Sequence, residues 1–288
     1  MNILLTGSTG FLGRSLLKCF VNRGDHVVSL LRKTSNIKRI GEYINKIDIV
    51  FVEDTDLEKL FINKKFDIVV HCATDYGRTH KNTWEILEPN LLLPVKLLEL
   101  AKRNSVKAFF NTDTVLDKGI SDYALSKSQF FDWLKRYSKQ IVTVNLSLEH
   151  FYGPDDDPTK FVTMSIQKML SNHSHFPLTK GLQKRDFIFI DDVCDASILL
   201  IDKSMQLRNG LYEHQIGTGD LVTIKEFVNL IKSLTGSKIN LGFGELPYRE
   251  NEHMSVPMRN NTLGDFNWRP KIGLIEGLKR TIEFERKK

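Results

Sequence analysis

The amino-acid sequence predicts an α/β protein, a doubly wound parallel sheet with a smaller α/β lobe in the C-terminal part. Three observations carry that prediction. The first two-thirds of the 288 residues alternates β-rich runs with helix-like segments. A strand, a glycine turn and a helix start stand together at the beginning, from Met1 to Gly13. From about Tyr152 the alternation loosens, and turn-rich stretches such as Gly153-Pro-Asp-Asp-Asp-Pro158 appear.

The first strand spans 2–5, and the helix after it spans about 11–23. Between them stand Gly7, Gly10 and Gly13, spaced G-x-x-G-x-x-G rather than the G-x-G-x-x-G of many dehydrogenases. Glycine serves such a turn where φ is positive and where the backbone must touch a phosphate or pack on the sheet. The helix N-terminus that follows suits a dinucleotide pyrophosphate. The residues placed there are Gly7, Thr9, Gly10, Phe11, Leu12 and Gly13. Three glycines by themselves also fit an ordinary βα turn.

The second strand, 26–31, runs into Arg32-Lys33-Thr34-Ser35. Chains of this type that prefer NAD carry an acid at this strand end for the ribose hydroxyls. Two cations and two hydroxyls stand here instead, which favours a 2′-phosphate and therefore NADP or NADPH. Solvated surface charge is the alternative for Arg32 and Lys33. The third strand, 48–52, leads to Asp54 and Thr55 ahead of a helix at 56–63. Asp54 is a candidate for the adenine amine or, equally, for the helix N-cap. The fourth strand, 67–71, ends at Cys72, Ala73 and Thr74, at the carboxyl edge where such sheets bind ligands.

A helix follows over 84–103, where Pro89 and Pro94 predict a late start or a kink. The strand 107–111 runs into Thr112-Asp-Thr114, a hydroxyl-bearing strand end. The helix 121–138 carries Tyr123 and Lys127 at i, i+4, hence on one face. A lysine beside a phenol is expected to lower its pKa and tune it for proton exchange with an alcohol or carbonyl oxygen. Lys127 also suits the cofactor ribose. The strand 141–146 completes the first domain, 1–151. The lobe, 152–288, holds a helix at 159–171, a strand at 187–190, helices at 192–203 and 224–235, a loop with Pro247 and Pro257, and a last helix at 274–285. The elements near 187–203 are expected to return to the first domain.

Composition narrows the function classes. The chain is 41% apolar and 26% charged, with a formal net charge of +6. Its cations are dispersed among acids with no basic block, which excludes nucleic acid as the expected partner. A mild positive balance suits anionic metabolites. No run approaches a membrane span, and no leader is read ahead of the first strand, so the cytoplasm is the expected location. Cys19, Cys72 and Cys194 are scattered and form neither a disulfide framework nor a metal site.

Glycine turn, strand-end hydroxyl and Tyr/Lys pair together resemble the extended short-chain dehydrogenase/reductases, the NAD-dependent epimerase/dehydratase type that acts on nucleotide sugars. The resemblance continues through Tyr152-Gly-Pro154, Lys184-Arg-Asp-Phe-Ile-Phe-Ile-Asp-Asp-Val193, Ile216-Gly-Thr-Gly219 and Asn267-Trp-Arg-Pro270. It implies a catalytic triad of Thr112, Tyr123 and Lys127. It also implies a C-terminal lobe that grips a nucleotide diphosphate, with Arg185 and Arg249 on the phosphates. An ion pair of Arg185 with Asp186 or Asp191 is the alternative. Thr112, Asp113, His150, Lys160 and Phe161 complete the expected substrate contacts. Dimerisation through the helices 84–103 and 121–138 is a further implication.

Within that family, dehydratases resemble one another in an Asp-Glu pair after the threonine. Asp113 is followed here by Thr114, which argues against dehydration. The strings Asn111-Thr-Asp-Thr114, Leu148-Glu-His-Phe-Tyr-Gly-Pro154, Lys184-Arg-Asp-Phe187 and Leu246-Pro-Tyr-Arg-Glu250 resemble the abequose and paratose synthase group. Those enzymes reduce a CDP-linked 4-keto-3,6-dideoxyhexose for O-antigen assembly. The implied reaction is NADPH-dependent 4-ketoreduction. A nucleotide-sugar 4-epimerase is the alternative among enzymes, and a non-catalytic NADP-binding regulator the alternative of another class. His150 stands where the family commonly has Asn, either as a polar substrate contact or as a second acid/base.

Overall fold

The computed structural model describes residues 1–78, 82–171, 173–250, 252–255 and 263–288; Pro257 lies outside them. The chain divides into two compact units, Met1–Ser147 with Cys194–His214, and Leu148–Val193 with Gln215–Lys288.

In the first unit the elements run β1 (Asn2–Thr6), α1 (Phe11–Arg23), β2 (His26–Leu31), a 3-10 segment (Ile37–Lys46), β3 (Asp48–Phe51), α2 (Leu57–Lys64) and β4 (Ile68–His71). They continue with α3 (Thr83–Leu87), a π turn (Glu88–Leu92), α4 (Leu93–Arg103), β5 (Ala108–Thr114), α5 (Asp122–Tyr137) and β6 (Val142–Leu148). β1 pairs in parallel with both β2 and β4, β2 with β3, and β4 with β5. The strand order therefore reverses at β1. Gly7 after β1 and Cys72 after β4 stand side by side at that switch point, where open α/β sheets bind ligands.

The strands are continuous apolar runs because helices cover both faces. All four residues of β4 are buried. Leu4, Val28, Val69 and Phe109 of the sheet pack into one core with Leu97, Leu98, Phe130 and Leu134 of α4 and α5. Burying one such side chain contributes about 1.5–3 kcal/mol.

The predicted kink near Pro89 takes a definite form. The helix starts on time at Thr83 and widens into a π turn over Glu88–Leu92 before resuming as α4. Proline lacks the N–H that the regular ladder needs, and a wide turn absorbs that loss.

The second unit follows with β7 (His150–Tyr152), α6 (Phe161–Leu170), β8 (His175–Leu178) and β9 (Lys184–Phe189). In chain order α7 (Ile190–Ser204) and β10 (Gly210–Ile216) come next, mostly in the first unit, and then β11 (Leu221–Thr223), α8 (Ile224–Thr235), β12 (Asn240–Phe243) and α9 (Leu274–Lys287) in the second. β10 adds a seventh strand to the main sheet, whose order is β10-β6-β5-β4-β1-β2-β3. Sequence reading gave this stretch no strand, since only its last two residues are fully buried. β7, β9 and β11 form a three-stranded sheet, and β8 and β12 a parallel pair. Within this unit Phe187 and Phe227 stack with centroids 3.8 Å apart.

Candidate active site

Two of the three glycines are required by packing. Gly7 has φ +72°, and a Cβ there would lie 2.5 Å from the Ala73 nitrogen. A Cβ on Gly13 would lie 2.1 Å from the Gly7 carbonyl oxygen. At Gly10 the nearest atom to such a Cβ is 3.1 Å away, so its reason lies outside the packed turn. α1 begins at Gly10 with no side-chain cap and no acid in its first turn. Such a terminus suits an anion.

The other wall of the switch point is fastened by one hydroxyl. Thr6 Oγ1 accepts hydrogen bonds from the Cys72 and Ala73 amides at 3.2 and 3.1 Å. It also lies 2.8 Å from His71 Nδ1. His71 is fully buried, and its pKa is held well below 6.5, by burial first and by the Lys127 charge second. Cys72 is pushed up to about 12 by burial, against the opposing pull of Lys127 and a hydrogen bond with Thr112. It is an inert thiol, not a nucleophile.

β5 and α5 bring Thr112, Tyr123 and Lys127 into the same unit, all three buried. Ser121 caps α5 by accepting from the Ala124 amide at 3.2 Å, which sets the start of the helix two residues before Tyr123. Lys127 is 2% exposed, and its Nζ has no hydrogen-bond partner among the described residues. A buried ammonium without partners is costly. Burial lowers its pKa, and Asp113 and Cys72 offset part of that. A polyhydroxyl group brought beside Nζ would satisfy it. The glycine cradle, the uncapped helix terminus and this ammonium together fit a dinucleotide, whose pyrophosphate and ribose are those two chemistries.

The expected lowering of the Tyr123 pKa is overturned. The phenol is driven well above 10, by burial first, then by Tyr76 and Asp113; Thr114 and Arg78 oppose the rise. Desolvation is the largest of these influences. The phenol keeps its proton across the neutral range, and burial alone makes it a weaker acid.

Thr112 Oγ1 donates to the His71 carbonyl at 3.1 Å. The strand-end hydroxyl close enough to influence Tyr123 is Thr114. It shares a strand face with Thr112 through the two-residue period, the signal that could have found it. Asp113 is anchored from β6: Asn145 Nδ2 donates to its Oδ2 at 2.8 Å, and Asn111 Nδ2 donates to Asn145 Oδ1 at 2.7 Å. Its other oxygen accepts from the Thr114 amide at 2.8 Å.

Sequence reading also missed Asn90, which sits fully buried in the π turn. Its Oδ1 accepts from Thr74 Oγ1 at 3.0 Å and from the Asp75 amide at 2.8 Å. Its Nδ2 donates to the Asp75 carbonyl at 2.9 Å and to Ser126 Oγ at 3.1 Å. Wide turns of this kind gather at functional sites.

At the ends of β2 and β3 two expectations change. Lys33 Nζ pairs with Asp54 Oδ1 at 2.6 Å, and the Lys33 amide donates to Glu53. Acids absent from the end of β2 are thus supplied by the end of β3, which is its neighbour in the sheet. Asp54 is not the helix cap; Asp56 is, accepting from the Glu58 and Lys59 amides. Arg32 is exposed, with no carboxylate in ion-pair range among the described residues.

The second unit holds the predicted substrate residues other than Thr112 and Asp113. Arg185 pairs with Glu252, and its Nη1 donates to the Lys184 and His253 carbonyls at 2.8 Å. Neither Asp186 nor Asp191 is its partner. Asp186 is buried and accepts from Thr218 Oγ1 at 2.6 Å and the Gly219 amide at 2.8 Å, which explains the Gly-Thr-Gly string. Asp191 stands 3.8 Å from Arg280. Arg249 is exposed and near enough to Arg185 for their charges to oppose. Lys160 Nζ lies 3.0 Å from Asp156 and over the Phe151 ring, while Phe161 packs towards Phe227. His150 packs edge-on against Phe187, with Nδ1 3.9 Å from the buried Glu149 carboxylate.

Comparison with known proteins agrees with this geometry. Residues 3–213 match the model of the NAD dependent epimerase/dehydratase family. A CDP-abequose synthase of Salmonella muenchen is 31% identical, covering 98% of this chain and 97% of its own. A dTDP-D-glucose 4,6-dehydratase of Homo sapiens is 26% identical over 99% of this chain and 89% of its own. The fold is shared with a UDP-glucose 4-epimerase of Thermotoga maritima solved with UDP-glucose. Their TM-score is 0.85 at 23% identity, covering 100% of this chain and 99% of that one. A dinucleotide cradle at the switch point, a buried Tyr/Lys pair and a family match across most of the length converge: the chain belongs to the NAD-dependent epimerase/dehydratase family.

Proposed function

We propose that the protein reduces the 4-keto group of a nucleotide-linked deoxyhexose, a CDP-4-keto-3,6-dideoxyhexose, with NADPH as reductant. The observation that carries this reading is Tyr123, a phenol buried one turn of α5 from the unpartnered Lys127 ammonium, an arrangement suited to giving a proton to a developing alkoxide. The similarity to CDP-abequose synthases supports the sugar class. Thr114, where a dehydratase would offer a glutamate, leaves no second acid at that position for expelling water.

NADPH supplies the hydride when bound. Gly7, Gly10, Gly13 and the start of α1 hold its pyrophosphate, Lys127 its ribose and Arg32 its 2′-phosphate. Tyr123 gives its proton to the carbonyl oxygen as C4 gains hydride, and takes a proton back from solvent after release. Thr114 aims the phenol. Burial excludes water from the reacting oxygen. In the second unit Arg185 and Arg249 take the diphosphate, which replaces Glu252 as the anionic partner of Arg185.

A second reading, an NAD-dependent 4-epimerase, is favoured by one observation: Glu53 and Asp54 stand at the ribose end of the sheet, where acids suit free hydroxyls. We further propose a homodimer through the α3–α4 and α5 faces. Trp84 and Leu92 are exposed there at 66% and 54%, and Leu125 and Trp133 at 42% and 39%.

NADPH oxidation across CDP-, dTDP-, GDP- and UDP-linked 4-keto sugars, with product stereochemistry read by NMR, tests the assignment. Net reduction of a CDP-linked 4-keto sugar is the expected result. Interconversion of C4 epimers without net NADPH consumption would replace it with the epimerase.

A further inference from the structure

We propose that Tyr76 is a positioning residue for Tyr123, held on the catalytic ring by a loop that one buried amide locks to the catalytic helix. The role in turnover rests on the reductase reading; the placement does not.

Tyr76 lies in the segment 72–78 that leaves β4. Its ring centroid is 5.0 Å from that of Tyr123, with the planes tilted by 50°. That is a favoured aromatic separation, contributing about 0.5–1.5 kcal/mol beyond area burial. The Arg78 guanidinium stands 4.8 Å from the Tyr76 centroid.

The loop is fastened, not merely packed. Asn90 binds Thr74 Oγ1, the Asp75 amide and the Asp75 carbonyl. Its remaining proton goes to Ser126 Oγ, which donates in turn to the Tyr123 carbonyl at 2.8 Å. One amide side chain therefore sets the distance between the backbone that carries Tyr76 and the turn that carries Tyr123. Just past Tyr76, Gly77 adopts φ +64° with its amide bonded to Asp75 Oδ1 at 2.9 Å. A Cβ there would stand 2.8 Å from Ile86 Cδ1, so the turn is closed against α3 as well.

One consequence follows for Tyr123: its ring cannot swing toward the side that Tyr76 covers. The groups facing the phenol are Tyr76 and Arg78 from this loop and Asp113 and Thr114 from β5, with Lys127 one helical turn along α5.

The test compares Tyr76→Ala with Tyr76→Phe in the full chain. Tyr76→Phe keeps the covering ring and should keep the wild-type kcat and KM. Tyr76→Ala should lower kcat on the keto sugar on the order of tenfold to a hundredfold, with KM changed less than about threefold. It should also move the alkaline limb of kcat to lower pH. Ultraviolet titration of tyrosinate gives a readout that needs no substrate. The difference between each protein and its Tyr123→Phe partner isolates Tyr123, which should titrate about one unit lower when Tyr76 is alanine. An unmoved Tyr123 titration in Tyr76→Ala overturns the proposal, as does a loss in Tyr76→Phe equal to that in Tyr76→Ala. A shifted titration in a protein that reduces no keto sugar keeps the placement and rejects the reductase reading instead.

Discussion

Lys33 Nζ stands 2.6 Å from Asp54 Oδ1, on a stretch where both side chains are more than half exposed. The pair contributes little to stability, but it changes which cation can serve a 2′-phosphate. Lys33 is already neutralised, whereas the Arg32 guanidinium keeps its full donor set. Arg32→Ala should weaken NADPH by about tenfold to a hundredfold and leave NADH nearly unchanged. Lys33→Ala should cost NADPH less than about threefold. Fluorescence titration with both nucleotides decides; equal losses for NADPH and NADH at Arg32 would sink the 2′-phosphate assignment.

Tyr123→Phe removes the proton and keeps the ring. Turnover should fall by about 10²–10⁴ while the NADPH Kd stays within about twofold. Because burial raises the phenol above its ordinary value of 10.0, the wild-type rate should stay level across the neutral range and decline only in strong alkali. A break near neutrality that Tyr123→Phe leaves in place would assign the proton to another group.

His71 links the site to stability at low pH. Its folded pKa lies well below the ordinary value of 6.5, since burial disfavours the imidazolium. Below about 6.5 the unfolded chain binds a proton that the folded chain refuses, so stability falls as pH falls, by about 1.4 kcal/mol per unit. Above that pH the group contributes no slope. Urea titrations between neutral pH and about 5 should show a shallower pH dependence for His71→Gln than for wild type. Parallel slopes would remove His71 as the source.

The apolar face on α3, α4 and α5 carries the dimer proposal. Trp84→Asp combined with Leu92→Asp should shift the protein to monomer at micromolar concentration with its far-ultraviolet dichroism intact. Sedimentation velocity reads the result. A wild type that already sediments as a monomer rejects the interface.

Much of this was legible in the chain itself. Strands such as Ile68-Val-Val-His71 announce themselves because both faces are buried, and Tyr123 and Lys127 because the helical period puts them on one face. What stayed hidden depends on neighbours that are remote in sequence. Glu53 reaches the amide of Lys33 only because β3 pairs with β2. The Tyr123 pKa follows from how deeply the fold buries the phenol, which no spacing reveals. Asn90 reads as one polar residue in an apolar run until the π turn aims it at Asp75 and Ser126. Short strands such as Leu221–Thr223, partly exposed throughout, carry too few residues to show a period.

The π turn at Glu88–Leu92 has a consequence for register. An α-helix advances about 100° per residue, so a wide turn rotates everything after it relative to everything before it. α3 and α4 therefore do not share one stripe, although they read as a single helix. Removing one residue from this turn would restore regular winding and leave the core face of α4 in phase with itself. It would also rotate the amide of Asn90 away from the loop that it ties. The protein can thus lose the alignment of its two tyrosines by a change that neither touches them nor unfolds the sheet.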